Sequence, residues 1–184
     1  MQPSQDYYDL IDSYKKLHEQ EGKFKGISLI PLVPTLMKIV KDNDCKTLLD
    51  YGCGKAIPYD KERCREVDLR NPIQELCSLE SFDLYDPAYE KYATLPDKKY
   101  DIVVCTDVLE HVAEQDLDYV LTQILSRSNK VVFLNICCKP ALKHFKQGNL
   151  KGKNLHISVF EPSWGAHKIG KVWNKFNHLK IYTL

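Results

Sequence analysis

The chain has 184 residues, of which 43% are hydrophobic and 28% are charged, and its formal net charge is +1 at pH 7. These values are those of a single soluble globular domain that buries a core without disulfides or a metal. The seven cysteines are an odd number, which favours reduced thiols in a cytoplasmic protein over a disulfide framework. No apolar run approaches the ~20 residues that span a bilayer, and the first residues lack the pattern of a signal peptide, so no membrane association is expected.

The charge is unevenly spread along the chain. After Asp118 the only acid is Glu161, whereas eleven Lys and Arg follow, so the last third carries +10 and the remainder −9. Two interpretations are open. The two parts neutralise each other in the folded protein, or the basic part forms a face for an anionic or nucleic-acid substrate.

Two helices are predicted before the first strand, over residues 4–20 and 28–42. They form an N-terminal cap (about residues 4–42) on one domain that takes in the whole chain, 1–184. Apolar and aromatic side chains recur at helical spacing in the first helix, which favours packing on a sheet. The alternative is a lid over a ligand, formed by Tyr7, Tyr14 or His18.

The strand predicted over about residues 46–51 leads into a glycine turn. It carries Asp50, and Gly52 and Gly54 then bend the chain, because glycine tolerates positive φ and lets a ligand approach bare backbone. A nicotinamide dinucleotide requires a third small residue three positions after the second glycine, where Ile57 stands. An acid before the first glycine suits an amino group better than a phosphate. The turn therefore favours S-adenosylmethionine, which has a zwitterionic amino-acid end and a cationic sulfonium.

The acid that ends the second strand has two candidates. In dinucleotide folds an acid roughly 20 residues after the first strand accepts hydrogen bonds from the ribose hydroxyls. Asp68 and Asp86 both fit, and we choose Asp86 because the run 82–85 is the better strand and Pro87 follows it. Residues 59–79 then hold a broken helix and an insertion. If Asp68 is the ribose-binding acid, the run before Asp86 becomes the third strand and Asp86 lies near the adenine.

The third strand of such a sheet is expected to be missing or vestigial. Only thirteen residues separate Asp86 from Tyr100, which barely accommodates a helix and another strand. The apolar run 101–105 then forms a strand that is buried on both faces. Ligands in open α/β sheets bind beyond the carboxyl ends of the strands, so three residues at that end are predicted to line the pocket: Cys105, Thr106 and Asp107.

The last third of the chain predicts a helix followed by a strand, a long loop, a second helix and a terminal strand. The helix that contains residues 117–125 buries its apolar residues from Leu117 to Leu125, and the loop is rich in lysine. A loop at this place commonly covers a substrate, and a mobile surface loop is the alternative. The final hairpin strand has no residues to build it. The elements after the first helix are the strand 130–136, the loop 137–154, the helix from Pro162 and the strand 178–184.

Two motifs, in this order, resemble those of the class I S-adenosylmethionine-dependent methyltransferases. Leu-Leu-Asp50-Tyr-Gly52-Cys-Gly54 resembles motif I, and the run from Tyr100 to Val112 is similar to the fourth-strand motif. The arrangement is most like the small single-domain members found among phage-encoded proteins. The resemblance implies a Rossmann-like sandwich with a mostly parallel sheet and a reduced or missing third strand and final hairpin strand. It also implies S-adenosylmethionine as cofactor, S-adenosylhomocysteine as product, and these cofactor-binding residues: Asp50, Tyr51, Gly52, Cys53, Gly54, Asp86, Pro87, Cys105, Thr106 and Asp107.

Two histidines are candidates for a catalytic role. Methyl transfer is an in-line displacement in which the protein positions the nucleophile, and an oxygen or nitrogen nucleophile also needs a base. His111 follows the strand 101–105 and His156 follows the next strand, so both are predicted to face the open rim. A structural role is the alternative for each.

The pattern Asp107-Val-Leu-Glu110-His111 is typical of a metal site. It resembles the Glu-x-x-Glu-His cluster with which ubiquinone-pathway O-methyltransferases and small-RNA 2′-O-methyltransferases hold a divalent ion. Such ligands suit Mg²⁺ or Mn²⁺, which lower the pKa of a hydroxyl group. Against the metal, many metal-free members carry the same Leu-Glu-His, where it orders the loop around the cofactor, and Asp107 is a shorter acid than Glu.

The sequence thus predicts an enzyme that transfers a methyl group from S-adenosylmethionine to an oxygen or nitrogen nucleophile of a small-molecule or anionic acceptor. The alternative is a cofactor-binding or nucleic-acid-binding protein on the same fold, which the basic last third motivates. An RNA methyltransferase would combine both functions.

Overall fold

The computed structural model describes residues 2–20 and 22–184. Its centre is one parallel sheet in the order β2-β1-β3-β4-β5. The strands are β1 Thr47–Tyr51, β2 Ser81–Tyr85, β3 Tyr100–Thr106, β4 Ser128–Asn135 and β5 Lys180–Thr183. The helices are α1 Gln5–His18, α2 Val33–Asp42, α3 Ile73–Leu76, α4 Leu117–Ser126 and α5 Pro162–Trp173. This architecture confirms the predicted Rossmann-like fold. The predicted start of the last helix at Pro162 is exact, and several other boundaries are displaced by a few residues.

The sheet lies between two apolar layers. On one face α4 and α5 pack on the strands together with Tyr7 of α1, and on the other face α2 and α3 do so. The central strands β3 and β4 are buried on both faces: Val103, Val104, Val132 and Phe133 are inaccessible to solvent. Such strands form from continuous β-branched and aromatic runs, which the sequence shows at both places.

The strand order sets the place of a binding site. The chain passes from β1 to β2 on one side and then to β3 on the other, so the order reverses beside β1. In an open α/β sheet this switch point leaves a crevice beyond the carboxyl ends of the strands. The glycine turn after β1 begins there.

The expected reductions of the sheet are present. Throughout the described ranges, no strand forms between Asp86 and Lys99, where the chain makes only a 3₁₀ turn, Glu90–Tyr92. β5 pairs in parallel with β4, and no antiparallel partner follows it among the described residues.

The first helix is fixed over the carboxyl edge of the sheet by a polar anchor. The Ser4 hydroxyl caps α1 by accepting a hydrogen bond from Tyr7 N at 3.4 Å. The buried Asp116 carboxylate accepts hydrogen bonds from Ser4 N and Ser4 Oγ, both at 2.7 Å. A charge-assisted cap of this kind stabilises a helix start by about 1 kcal/mol. As for the membrane, no described helix combines the length and the apolarity that a crossing requires.

Several basic residues of the last third pair with acids from the first two thirds. Lys130 lies 3.1 Å from Asp101, and Lys168 lies 3.0 Å from Asp118. For these residues the folded protein neutralises the uneven charge of the sequence. The lysines of the long loop, by contrast, form no ion pair with any described residue.

Candidate functional site

A cavity of about 260 Å³ opens at the carboxyl ends of β1 and β3, below α1. Cys105 is predicted to line it but does not, because its side chain is buried in the hydrophobic core among α4 and α5. Side chains of a strand alternate between its two faces, which turns this thiol away from its neighbour Thr106. The other nine predicted cofactor residues line the cavity: Asp50, Tyr51, Gly52, Cys53, Gly54, Asp86, Pro87, Thr106 and Asp107.

The backbone N–H groups of the glycine turn are already used within the protein. Gly52 N and Cys53 N both donate to Tyr85 O, at 2.7 and 3.1 Å. Gly54 N donates to Asp86 Oδ2 at 2.9 Å. A pyrophosphate binds in a glycine-rich turn through free N–H groups, which these three residues do not offer. The geometry therefore supports the exclusion of a dinucleotide.

A loop that precedes α2 packs directly against the glycine turn. Lys55 N donates to Phe24 O at 2.8 Å, and Ile57 N donates to Lys25 O at 3.1 Å. Gly54 has φ +58°, and a Cβ atom added to it would lie 2.6 Å from Phe24 O. Glycine is needed here both for its positive φ and for this close approach.

Asp86 follows β2, as predicted, and Asp68 does not follow a strand. Asp68 is exposed at the end of the 3₁₀ turn Cys64–Val67 and does not line the cavity. Asp86 is buried, and its carboxylate bridges Gly54 N and Ala88 N at 2.9 and 2.8 Å. It thereby ties the end of β2 to the glycine turn.

Two acids give the cavity a negative wall. Burial raises the pKa of Asp50 to about 7, and the neighbouring Asp86 carboxylate adds to that rise. Burial also raises the pKa of Asp86, whereas His18 and the N–H of Ala88 act in the opposite direction. A cationic ligand between these carboxylates would favour their ionised forms and so lower the pKa of both groups.

Helix α1 contributes side chains whose role in the site the sequence leaves open. His18 stacks between Phe24 and Tyr89, with ring centroids 4.6 and 5.5 Å away. Its Nε2 lies 3.9 Å from Asp86 Oδ2. Tyr7 and Tyr14 also line the cavity. The helical spacing predicts which face of α1 is buried, but not that this face covers a cavity.

His111 lines the same cavity and is held by a polar cluster. Its Nδ1 lies 2.9 Å from Leu155 O and 2.9 Å from the Tyr14 hydroxyl, which itself donates to Leu155 O at 2.6 Å. Burial lowers the pKa of His111 to about 4, and the Leu155 carbonyl opposes this shift. The ring is therefore neutral near pH 7. Because a carbonyl oxygen only accepts, Nδ1 carries the proton that is donated to Leu155 O, and the free lone pair of the neutral ring lies on Nε2.

His156 does not line the cavity, but it contacts a residue that does. Its ring meets the His111 ring edge to face, with centroids 4.9 Å apart. Its Nδ1 lies 2.6 Å from Lys139 O. The two candidate histidines are thus adjacent, and only His111 faces the cavity.

The predicted metal ligands Asp107, Glu110 and His111 do not form one ligand group in the described part of the chain. The Asp107 carboxylate accepts a hydrogen bond from Asn135 Nδ2 at 2.7 Å. Glu110 Oε1 accepts one from Cys137 N at 3.2 Å, while His111 turns to Leu155. The Leu109–His111 segment is a 3₁₀ turn, which points these side chains in different directions.

A parallel sheet, a cavity at its switch point and two buried carboxylates beside the glycine turn together define a Rossmann-like protein. The family model described as "Methyltransferase domain" matches residues 27–176. The chain therefore belongs to the methyltransferase domain family. Helix α1, which covers the cavity, precedes the matched range.

A curated relative agrees with this assignment. The chain is 25% identical, over 169 residues, to the ubiquinone biosynthesis O-methyltransferase of Hydrogenovibrio crunogenus, and the alignment covers 79% of this chain and 69% of the relative. Both comparisons confirm the predicted methyltransferase relationship. The likeness to phage-encoded members stays a prediction.

Proposed function

We propose that the protein transfers a methyl group from S-adenosylmethionine to an oxygen or nitrogen nucleophile of an anionic acceptor. The observation that carries the proposal is the meeting of Asp50, Asp86 and the glycine turn at one cavity. The name of the O-methyltransferase relative favours oxygen as the nucleophile.

The donor set of the cavity fits this cofactor. The N–H groups of the glycine turn are occupied, so the Asp50 carboxylate and backbone carbonyls remain as acceptors for an ammonium group. Each Asp86 oxygen accepts one backbone N–H and keeps a further lone pair, which suits the hydroxyls of a ribose. When bound, S-adenosylmethionine supplies a methyl group that its sulfonium has already activated. Thr106 and Asp107 would line the floor of the same cavity.

His111 is the proposed base. It is neutral near pH 7, lines the cavity and is oriented through Nδ1, so that Nε2 is available to accept a proton from the acceptor. Tyr14 and Leu155 hold the ring in place. His156 acts through His111 as a positioning residue, because it touches that ring and does not line the cavity.

The positive charge of the long loop favours an anionic acceptor. The long loop carries exposed lysines that form no ion pair with any described residue: Lys139, Lys143, Lys146, Lys151 and Lys153. The Lys143 ammonium group, followed by that of Lys146, lowers the pKa of Lys23, which means that these like charges stand close together. Lys23 adjoins Phe24 on the cavity wall. An acceptor with phosphate or carboxylate groups would relieve this repulsion.

Calorimetric titration of the purified chain with S-adenosylmethionine and S-adenosylhomocysteine tests the cofactor. Saturable heat and a rise in melting temperature are expected, since a ligand that binds only the folded state stabilises it. Absence of both would refute the proposal. The acceptor is then sought by offering the methyl-labelled cofactor with a small-molecule extract or with total RNA, followed by mass spectrometry of the labelled product.

A second candidate is a nucleic-acid-binding protein that holds the cofactor without transferring its methyl group. The unpaired loop lysines motivate it. Filter binding of RNA from low to high salt separates the two candidates, since phosphate contacts give an affinity that falls steeply with salt. A steep fall without any labelled product would favour the second candidate.

A further inference from the structure

Three side chains from two connections of the fold meet beside the cavity. Glu110 follows β3, whereas Cys137 and His156 lie in the segment that joins β4 to α5. One ligand atom from each lies within 4.8 Å of the other two: a carboxylate oxygen, the Cys137 Sγ and a ring nitrogen of His156. We propose that these residues bind a divalent ion of the zinc class.

The Glu110 carboxylate has an unused oxygen. The side chain is almost completely buried, with 1% of its surface exposed. Its Oε1 accepts one hydrogen bond, from Cys137 N, whereas its Oε2 has no partner among the described residues. A buried carboxylate oxygen without a donor is unfavourable, and a bound cation would offset that penalty.

The ligand types select the class of ion. A thiolate, an imidazole and a carboxylate together suit Zn²⁺, whereas Mg²⁺ and Mn²⁺ prefer sites made of oxygen. A tetrahedral zinc ion holds ligand atoms at ~2.0–2.3 Å, and hence roughly 3.5 Å from each other. Cys137 and His156 are half-buried residues on loops, so a closure of about 1 Å would complete the site. The fourth position is open to water or to an acceptor group.

The surroundings orient the ligands. The Lys139 carbonyl lies 2.6 Å from His156 Nδ1 and holds the imidazole ring, as carbonyl groups do around many metal-bound histidines. Ser158 N donates to Glu110 O at 2.9 Å and fixes the end of the long loop to the segment after β3. Because the His156 ring also contacts His111, an ion here would join the long loop to the wall of the cavity.

Titration of metal-free, full-length protein with Co²⁺ tests the site, because a cobalt–thiolate bond gives a charge-transfer absorption in the near ultraviolet. Five of the seven cysteines are buried, and Cys137 and Cys138 are the two accessible ones. One equivalent of Co²⁺ should develop the band in the wild type, and Zn²⁺ should displace it. Cys137→Ser should abolish the band, and His156→Ala should weaken Co²⁺ binding at least about tenfold. Cys138→Ser is the matched control and should bind as the wild type does.

Binding is also expected to raise the melting temperature of the wild type and of Cys138→Ser, but not that of Cys137→Ser. The proposal is overturned if the wild type shows no saturable band. It is equally overturned if Cys138→Ser loses as much affinity as Cys137→Ser, since the ion would then bind to surface thiols. Neither outcome depends on methyl transfer.

Discussion

The glycine turn (residues 52–54) lines the cavity, whereas the rim loop (residues 136–161, which include the long loop) contacts the lining residues Tyr14 and His111 from outside. The two regions are built in different ways. In the turn, each backbone N–H donates to a residue of a neighbouring strand end, and glycines permit the close approach of a second loop. The rim loop contains one isolated bridge, His144 to Asn154. Backbone hydrogen bonds extend this bridge, such as Phe145 N to Lys153 O at 2.9 Å. A side chain adds to them: Asn154 accepts from Ala141 N at 2.9 Å and donates to Ala141 O at 2.8 Å.

The two regions obtain their shapes from different kinds of interaction. The turn is shaped by backbone geometry that glycine alone tolerates, so its form follows from the local sequence. The rim loop is shaped by local hydrogen bonds and by a few distant contacts, including the packing of the buried Phe145 side chain near Tyr14. We therefore expect changes in the turn to have the larger effects, and changes at the rim to be smaller.

The largest effect is expected for Asp86→Ala. The change removes the carboxylate that holds Gly54 N and Ala88 N, and it removes the proposed partner of the ribose. Affinity for S-adenosylmethionine should fall by about 1.5–3 kcal/mol, or roughly 10- to 150-fold, as measured by calorimetry. Asp68→Ala, at the exposed alternative acid, is the control and should bind normally. An unchanged dissociation constant for Asp86→Ala would remove this residue from the binding site.

Gly54→Ala should be the next largest. Its Cβ would meet Phe24 O at 2.6 Å, and φ is +58°, so unfolding free energy should fall by about 1–3 kcal/mol in a denaturant titration. Gly165→Ala in α5 is the matched control. Nothing lies within 4 Å of its added Cβ, and alanine should stabilise the helix by about 0.5–1 kcal/mol. Equal effects of the two substitutions would contradict the tight packing of the turn.

The pH dependence of cofactor binding isolates Asp50. Because the pKa of its carboxyl group is raised to about 7, the group is largely neutral below that pH and ionised above it. A cationic ligand prefers the carboxylate, so affinity should rise with pH up to about 7–8, by at most about tenfold per unit, and then level off. Asp50→Asn should flatten this profile. If the titration of Asp86 or His18 caused the pH dependence instead, the Asp50→Asn variant would keep the same slope. Calorimetry at several pH values measures it.

The smallest effect is expected at the rim. Tyr14→Phe removes the hydroxyl that contacts Leu155 O and His111 Nδ1, and should lower the unfolding free energy by about 0.5–1.5 kcal/mol. Tyr8→Phe changes an exposed tyrosine on the same helix and should have no measurable effect. A loss at Tyr14 as large as that of Gly54→Ala would remove the contrast between the two regions.

Sequence reasoning succeeded where one segment carries the whole signal. The glycine turn, the choice of Asp86 over Asp68 as the acid after the second strand, and the missing third strand all follow from local patterns or from the length between them. It was less successful where orientation decides. The sequence predicts that Cys105 lines the cavity, but the alternation of side chains along the strand directs its thiol into the core.

Side-chain orientation is also what the sequence pattern fails to predict for the ligand group beside the rim loop. The pattern from Asp107 to His111 predicts a shared metal site, whereas the structure points those side chains at different partners and brings Glu110 to Cys137 and His156. The three residues of this group are far apart in the sequence and have no recognisable spacing. A sequence pattern identifies ligands that share one helix or turn, and it carries little information about ligands that loops bring together.

By itself, the sequence determined the methyltransferase fold and the position of its glycine turn. Buried strands require continuous apolar runs and a sharp turn requires glycine, and both requirements are local. The tertiary structure alone decided that α1 covers the cavity, that His111 faces it while His156 does not, and that Glu110 lies beside Cys137. These contacts depend on the path of the chain between distant residues, which follows from the packing of the whole core.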